Sequence, residues 1–135
     1  MTRRELRENL YIMLFRVEFH EKGDLDNQVE LALEEMNGVS ENNRKELIEK
    51  FNGIVEHISE IDGRIEQLSN GWTINRIAKA DLTVLRLGIY EILFDENVPN
   101  NVAVNEAVEL SKLYGGHKSS GFVNGILGSL VRELS

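Results

Sequence analysis

Cysteine is absent from the 135-residue sequence, which excludes disulfide bonds and zinc–thiolate sites. A chain without cysteine fits a reducing compartment, and we expect the cytoplasm. No apolar run approaches the roughly 18 residues that a membrane span needs. The first residues carry positive charge without an apolar stretch behind it, so a secretory signal is not expected. The sequence therefore predicts a small soluble protein that does not enter a membrane.

Proline and strand-like patterns are also scarce. Pro99 is the single proline, and apolar residues recur at three- and four-residue spacing rather than in alternation. This spacing predicts an all-α fold of about seven helices, near residues 3–21, 26–36, 41–58, 61–68, 74–94, 99–114 and 119–134. We expect one domain over residues 1–135, with two lobes that divide near Gly38 or Gly71.

An overall excess of basic residues is missing too, because the net charge is −8. Such a charge argues against a nucleic-acid partner, but its distribution is uneven. Residues 17–109 hold twenty acidic and eight basic residues, whereas residues 1–16 hold four arginines and two acids, and residues 110–132 hold three basic residues and no acid. If the two ends meet in the fold, they make one modest positive face on an acidic body.

No catalytic or metal-binding motif stands out. His20, His57 and His117 are far apart, and none lies in a spacing typical of metal ligands. Residues 115–121, Gly-Gly-His-Lys-Ser-Ser-Gly, lack the spacing of a phosphate-binding loop and the strand that precedes one. We therefore expect a binding protein without enzymatic activity, metal or cofactor.

The same glycine-rich segment opens the last predicted helix. A helix N-terminus offers unpaired N–H groups to an anion. Ser119 and Ser120 add hydroxyl groups, and Lys118 adds positive charge. Phe122 lies one turn into the helix, where its ring can stack on an unpaired base. In the alternative interpretation, one serine is only a helix cap and Phe122 belongs to the core.

The first predicted helix begins with Arg3, Arg4 and Arg7. Positive side chains at this end oppose the helix dipole. They are poorly placed for stability, which favours a phosphate partner. A frayed and solvated terminus is the alternative.

Five segments follow in order from residue 72 onward: WTINR at 72–76, VLRLGIYE at 84–91, VP at 98–99, VNEAVEL at 104–110 and GFVNGIL at 121–127. This series resembles the bacterial NusB family of transcription antitermination factors. The resemblance spans nearly the whole chain, and it is specific in residues 72–127 and weak in residues 23–60.

The resemblance implies an all-α fold of two small packed helical bundles and no catalysis. It implies binding to the boxA element of nascent single-stranded RNA, together with the ribosomal protein that doubles as NusE. The complex would help RNA polymerase in the elongation complex pass terminators, notably in ribosomal RNA operons. Asp81, on the long fifth helix, is the expected contact of the protein partner. The residues carried over as RNA contacts are Arg3, Arg4, Arg7, Lys118, Ser119 and Phe122.

Other residues of the matching segments have structural explanations. Five polar residues lie on or beside apolar stripes, and we expect them to hydrogen-bond with one another or with helix ends: Arg76, Arg86, Glu91, Asn105 and Glu106. Asn124-Gly125 in the last helix is expected to allow close helix approach.

Two other functions stay open at this point. A helical adaptor that binds proteins and has little RNA affinity is favoured by the acidic body. A detached relative of the NusB-like domain found in some RNA methyltransferases would bind without catalysis. The sequence is also compatible with either a monomer or a homodimer.

Overall fold

The computed structural model describes residues 1–16, 25–36 and 38–135. Its helices confirm the predicted all-α fold, and none of them is long and apolar enough to cross a membrane. The predicted continuation of the first helix to Glu21 lies outside the described residues. The helices are α1 (Arg3–Arg16), α2 (Leu25–Glu35), α3 (Glu41–Glu56), α4 (Ile58–Leu68), α5 (Lys79–Phe94), α6 (Asn100–Tyr114) and α7 (Ser119–Leu134).

The chain forms two compact units, Met1–Glu56 and His57–Ser135. Two helical bundles were expected, but their boundary near Gly38 or Gly71 was wrong. Glycines mark turns, whereas packing decides which unit a helix joins. Because α3 packs against α1, it belongs to the first unit, and the boundary follows it.

In the first unit, α1 packs against both α2 and α3. The predicted apolar stripe of α1 is buried from Leu6 to Leu14, and its last member, Val17, lies outside the described residues. The stripe predicted for α3 is buried apart from Val55, which is partly exposed, and Ile58, which is partly exposed and begins α4 instead. Burial of such stripes is the main stabilising contribution to short helices. The buried side chains of the two stripes are Leu6, Leu10, Met13, Leu14, Leu47, Phe51 and Ile54.

Helix α1 begins with a capping box. The Thr2 hydroxyl accepts a hydrogen bond from the Glu5 N–H at 3.0 Å, and the Thr2 N–H donates to the Glu5 carboxylate at 3.1 Å. The bond from the Thr2 backbone is the main cause that lowers the pKa of Glu5. An ionised carboxylate in this turn offsets the cost of the neighbouring arginines at the positive end of the helix dipole.

In the second unit, α5, α6 and α7 pack against one another, and α4 packs against α5 and α7. Helix α5 is buried along most of its length, from Leu82 to Ile92. Asp62 of α4 accepts two hydrogen bonds from the Arg86 guanidinium of α5, both at 2.9 Å. This pair confirms that Arg86 is bound within the protein.

Helix α5 begins later than predicted. Ile74–Arg76 form a single 3-10 turn, and Ile77 and Ala78 are extended before Lys79 starts the helix. This extended step leaves Ile77 buried at 7 % exposure, while Arg76 remains exposed. The segment between α4 and α5 is therefore a structured connection and not the first turns of a long helix.

The expectation that Gly125 allows close helix approach was wrong, because a Cβ there would meet nothing within 4 Å. The close approach lies at Gly88 of α5. A Cβ on Gly88 would lie 2.7 Å from Leu127 Cδ1 and 3.4 Å from Ala107 Cβ. Here α5 packs directly against α6 and α7.

Candidate nucleic-acid interface

An open pocket of about 410 Å³ lies in the second unit, beside the start of α7. It brings together four residues that the sequence singled out: Lys118, Ser119 and Phe122 as RNA contacts, and Asp81 as a protein contact. Its complete lining is Trp72, Arg76, Ile77, Ala78, Asp81, Gly116, Lys118, Ser119 and Phe122.

The connection between α6 and α7 depends on Gly115. Its N–H donates a hydrogen bond to the Ser111 carbonyl at 2.9 Å, which ends α6. A Cβ at Gly115 would lie 2.7 Å from that carbonyl oxygen and 2.5 Å from the Ser119 Oγ. Only glycine allows this approach without a shift of the backbone. Gly115 therefore lets the start of α7 lie directly against the end of α6.

Ser119 stabilises this connection. Its hydroxyl accepts a hydrogen bond from the Gly116 N–H at 2.9 Å, and the residue is 6 % exposed. Lys118 occupies the position that precedes the helix, so Ser119 is not its N-cap. The structure thus gives Ser119 a positioning role, and its direct contact with RNA stays a prediction.

Lys118 and Phe122 are more accessible. Lys118 is exposed, and Phe122 is partly exposed with its side chain at the pocket. The first turn of α7 contains no acidic residue. The pocket rim therefore offers positive charge and a helix N-terminus, with an aromatic ring beside them.

Trp72 also lines the pocket, although its sequence context alone predicts no site role for it. Asn70 and Gly71 have positive φ angles of 54° and 92° and turn the chain after α4. The Ser69 hydroxyl then donates a hydrogen bond to the Trp72 carbonyl at 2.9 Å. Trp72 itself is 53 % exposed. A fixed backbone therefore presents a solvent-exposed tryptophan at the pocket.

Arg76 also lines the pocket, and its expected pairing with other polar residues was wrong. Its side chain is exposed and has no hydrogen-bond or ion-pair partner in the described part of the chain. The Asp81 carboxylate is likewise unpaired among residues 1–16, 25–36 and 38–135. The sequence signal that could have identified this part of the pocket is a lone tryptophan after an Asn-Gly turn, with an arginine four residues later.

The arginines of the first unit differ in exposure. The Arg3 side chain is 63 % exposed and donates to the Glu46 carboxylate at 2.9 Å. Arg4 is also exposed, whereas Arg7 is 7 % exposed and interacts within the protein. Arg3 and Arg4 are thus accessible to a phosphate, and contact by Arg7 requires its side chain to move. That these arginines share one face with Lys118 stays a prediction.

Within the described ranges, no group of three His, Asp or Glu side chains is placed to hold a metal ion. His20, one of the three histidines of the sequence, lies outside those ranges. The expectation of a protein without metal, cofactor or enzymatic activity stays a prediction.

The chain is similar to known proteins over nearly its whole length. A sequence model described as the NusB family matches residues 4–132. The transcription antitermination protein NusB of Agathobacter rectalis is 48 % identical over 127 residues, covering 94 % of this chain and 97 % of that protein.

Solved structures show the same similarity. The structure of T. maritima NusB matches with a TM-score of 0.89 at 34 % identity, covering 98 % of this chain and 92 % of that one. A chain in the complex of antitermination factors NusB and NusE with double-stranded RNA matches with a TM-score of 0.78 at 25 % identity. That alignment covers 98 % of this chain and 99 % of the other.

Proposed function

Because the chain belongs to the NusB family, we propose that it is a transcription antitermination factor. It binds boxA-type single-stranded RNA together with the ribosomal protein NusE. The assembly acts in the cytoplasm on the elongation complex and helps RNA polymerase read through terminators, notably in ribosomal RNA operons. The solved complex of NusB and NusE with double-stranded RNA supports NusE and an RNA as the two partners, and the single-stranded boxA element is part of the proposal.

The observation that carries this proposal is the pocket at the start of α7. Lys118 supplies an exposed cation, and the helix N-terminus adds partial positive charge where a phosphate can bind. The partly exposed ring of Phe122 lines the same pocket, where an unpaired base can stack. Charge for the backbone and an aromatic surface for a base are the two requirements of single-strand binding.

Arg3 and Arg4 add phosphate contacts from the first unit. The ion pair of Arg3 with Glu46 is exposed, so it contributes about 0–1 kcal/mol and is exchanged for a phosphate at small cost. Arg7 contributes less directly, because its buried side chain is already engaged.

The deciding experiment is a binding titration with boxA-type RNA and a scrambled RNA of equal composition, with and without NusE. We expect tighter binding to boxA RNA and a further increase in affinity when NusE is present. Phe122→Ala is expected to weaken binding by about 1–3 kcal/mol, the magnitude of one base–aromatic stack. Leu113→Ala is the matched control, since Leu113 is 60 % exposed and does not line the pocket.

Phe122→Leu keeps an apolar side chain of similar size and removes the aromatic ring. It should weaken RNA binding while circular dichroism and thermal unfolding stay close to wild type. Equal affinity for the boxA and scrambled RNAs in the presence of NusE would overturn the proposal.

A protein-binding adaptor is the alternative, and the excess of acid in residues 17–109 favours it. In that case NusE binding would persist in the same titrations, and RNA would add nothing to it.

A further inference from the structure

The sequence contains four Asn-Gly pairs, and the fold places them in different backbone conformations. They begin at Asn37, Asn52, Asn70 and Asn124. Asn37 lies outside the described residues. The pairs at 52 and 124 lie inside α3 and α7, whereas the pair at 70 forms the turn after α4. The same dipeptide therefore occurs in two helices and in one turn.

An Asn-Gly pair can rearrange without an enzyme, and asparagine is among the thermolabile residues for this reason. The glycine backbone nitrogen attacks the side-chain carbonyl carbon of the asparagine, and no Cβ on the glycine hinders the approach. The new N–C bond closes a succinimide ring, the bond from that carbon to the amide nitrogen breaks, and ammonia leaves with the proton of the glycine N–H.

Water then opens the succinimide at either of its carbonyl groups. Opening at the side-chain carbonyl gives aspartate. Opening at the main-chain carbonyl gives isoaspartate, in which the backbone runs through the former side chain and is one carbon longer. Both products carry a carboxylate where the asparagine carried a neutral amide.

A helical backbone opposes this attack. Within a helix, each N–H is bonded to the carbonyl group four residues earlier, so the nitrogens of Gly53 and Gly125 are fixed in the hydrogen-bonded backbone. Attack at these pairs requires the helix to open locally. Asn52 and Asn124 are exposed, as Asn70 is, so access of water does not distinguish the three pairs.

The turn at Asn70 and Gly71 lacks this protection. Both residues are exposed, and their φ angles are 54° and 92°. Across residues 1–16, 25–36 and 38–135, the Gly71 N–H has no hydrogen-bond partner. A Cβ on Gly71 would meet nothing within 4 Å, so no neighbouring atom blocks a movement of the turn. The Gly71 nitrogen can therefore approach the Asn70 side chain without breaking a helix.

Two hydrogen bonds close the loop that contains this pair. The Ser69 hydroxyl donates to the Trp72 carbonyl at 2.9 Å, and the Trp72 N–H donates to the Ser69 carbonyl at 3.4 Å. An isoaspartate at position 70 lengthens the backbone between Ser69 and Trp72 and changes the spacing that both bonds require. Trp72, which lines the pocket, then loses the position that these bonds give it.

We propose that Asn70-Gly71 is a site of spontaneous modification, at which isoaspartate forms faster than at the helical pairs and displaces Trp72. The reaction consumes only water and releases only ammonia. It needs neither RNA nor NusE, so it is independent of the proposed function.

The first test follows the three described pairs in one sample of the full chain. Folded protein is kept in mildly alkaline buffer and then digested with trypsin, which places the pairs in separate peptides, residues 51–64, 65–76 and 119–132. Mass spectrometry measures the conversion of each amide to a carboxylate, and a protein isoaspartyl methyltransferase labels the isoaspartate. We expect Asn70 to react at least about tenfold faster than Asn52 or Asn124, which requires about 1.4 kcal/mol of local helix opening.

The same chain unfolded in urea is the control, because the three pairs then share one backbone environment. Their rates should become similar. Similar rates in the folded protein, or a faster reaction at a helical pair, would refute the selectivity of the turn. A tenfold difference that persists in urea would assign the rate to neighbouring side chains and would equally refute it.

The second test measures the fluorescence of Trp72, the only tryptophan in the sequence. The modified protein is separated from the unmodified protein by ion exchange. Asn70→Asp is the matched control, because it adds the same charge and keeps the normal backbone length. We expect the emission maximum to shift in the isoaspartyl form and to stay at the wild-type value in Asn70→Asp. An unshifted isoaspartyl form, or an equal shift in Asn70→Asp, would show that the longer backbone does not displace Trp72.

Discussion

At the scale of single residues, the pairing of Arg86 with Asp62 shows how a charge is accommodated on a largely buried helix. The two side chains are 12 % and 23 % exposed, and two parallel hydrogen bonds join them. Such a pair contributes modestly when intact, but removal of one partner leaves a poorly hydrated charge without compensation.

We therefore predict that Arg86→Ala lowers the free energy of unfolding by about 1.5–3 kcal/mol. Arg44→Ala is the control, because the ion pair of Arg44 with Glu30 is much more exposed and should contribute about 0–1 kcal/mol. Urea denaturation of both variants measures the difference. Equal losses would show that the Asp62–Arg86 pair has no special role in stability.

Residue identity alone predicted part of the pocket. A cation and a ring at a helix start suit RNA, which predicts Lys118 and Phe122 as site residues, and both lie at the pocket. Trp72 and Arg76 were not assigned, because their exposure depends on the turn at Asn70 and Gly71 and on the extended step at Ile77 and Ala78. Periodicity carries no information on such irregular segments.

At the scale of elements, the boundaries of α6 and α7 were predictable and the start of α5 was not. Gly115-Gly116 marks the break between α6 and α7, and the predicted range of α7 agrees with Ser119–Leu134. No glycine or proline marks the break at Ile77 and Ala78, so the apolar pattern extended α5 too far. Residues that break helices, such as glycine, are visible in a sequence. A helix break imposed by the burial of one side chain is not.

The tight connection between α6 and α7 leads to a second prediction. Gly115→Ala should lower the free energy of unfolding by about 1–3 kcal/mol, because the new Cβ meets the Ser111 carbonyl and Ser119. Gly125→Ala should instead raise stability by about 0.5–1 kcal/mol, since that helical position has space for a methyl group. Thermal unfolding of the two variants compares them. Similar shifts in Tm would contradict the crowding at Gly115.

At the scale of the whole molecule, a net charge of −8 coexists with a proposed RNA site. The sequence located the basic ends and the acidic middle, and the structure divides the chain into two helical units. The expected single RNA-binding domain over residues 1–135 stays a prediction, as does a common basic face. Long-range placement of the two ends is not encoded in any local pattern.

The salt dependence of RNA affinity tests whether a few phosphate contacts account for the binding. About three contacts to a single strand predict a log–log slope of affinity against salt of magnitude about 2. Lys118→Ala should lower that magnitude by about 0.7, the share of one contact. Lys45→Ala removes the same charge from an exposed position of α3 outside the pocket and should leave the slope unchanged. A flat response in the wild type would exclude the basic residues as the binding site.

The hydrogen bond from the Gly116 N–H to Ser119 has a kinetic consequence. Together with the bonds that fix Trp72, it orders the pocket before any ligand arrives. A preformed site loses little conformational entropy on binding, so the proposed encounter of this pocket with RNA needs no slow rearrangement of these segments. Related RNAs should then associate with the second unit at similar rates, and discrimination between them should lie in how long each complex survives.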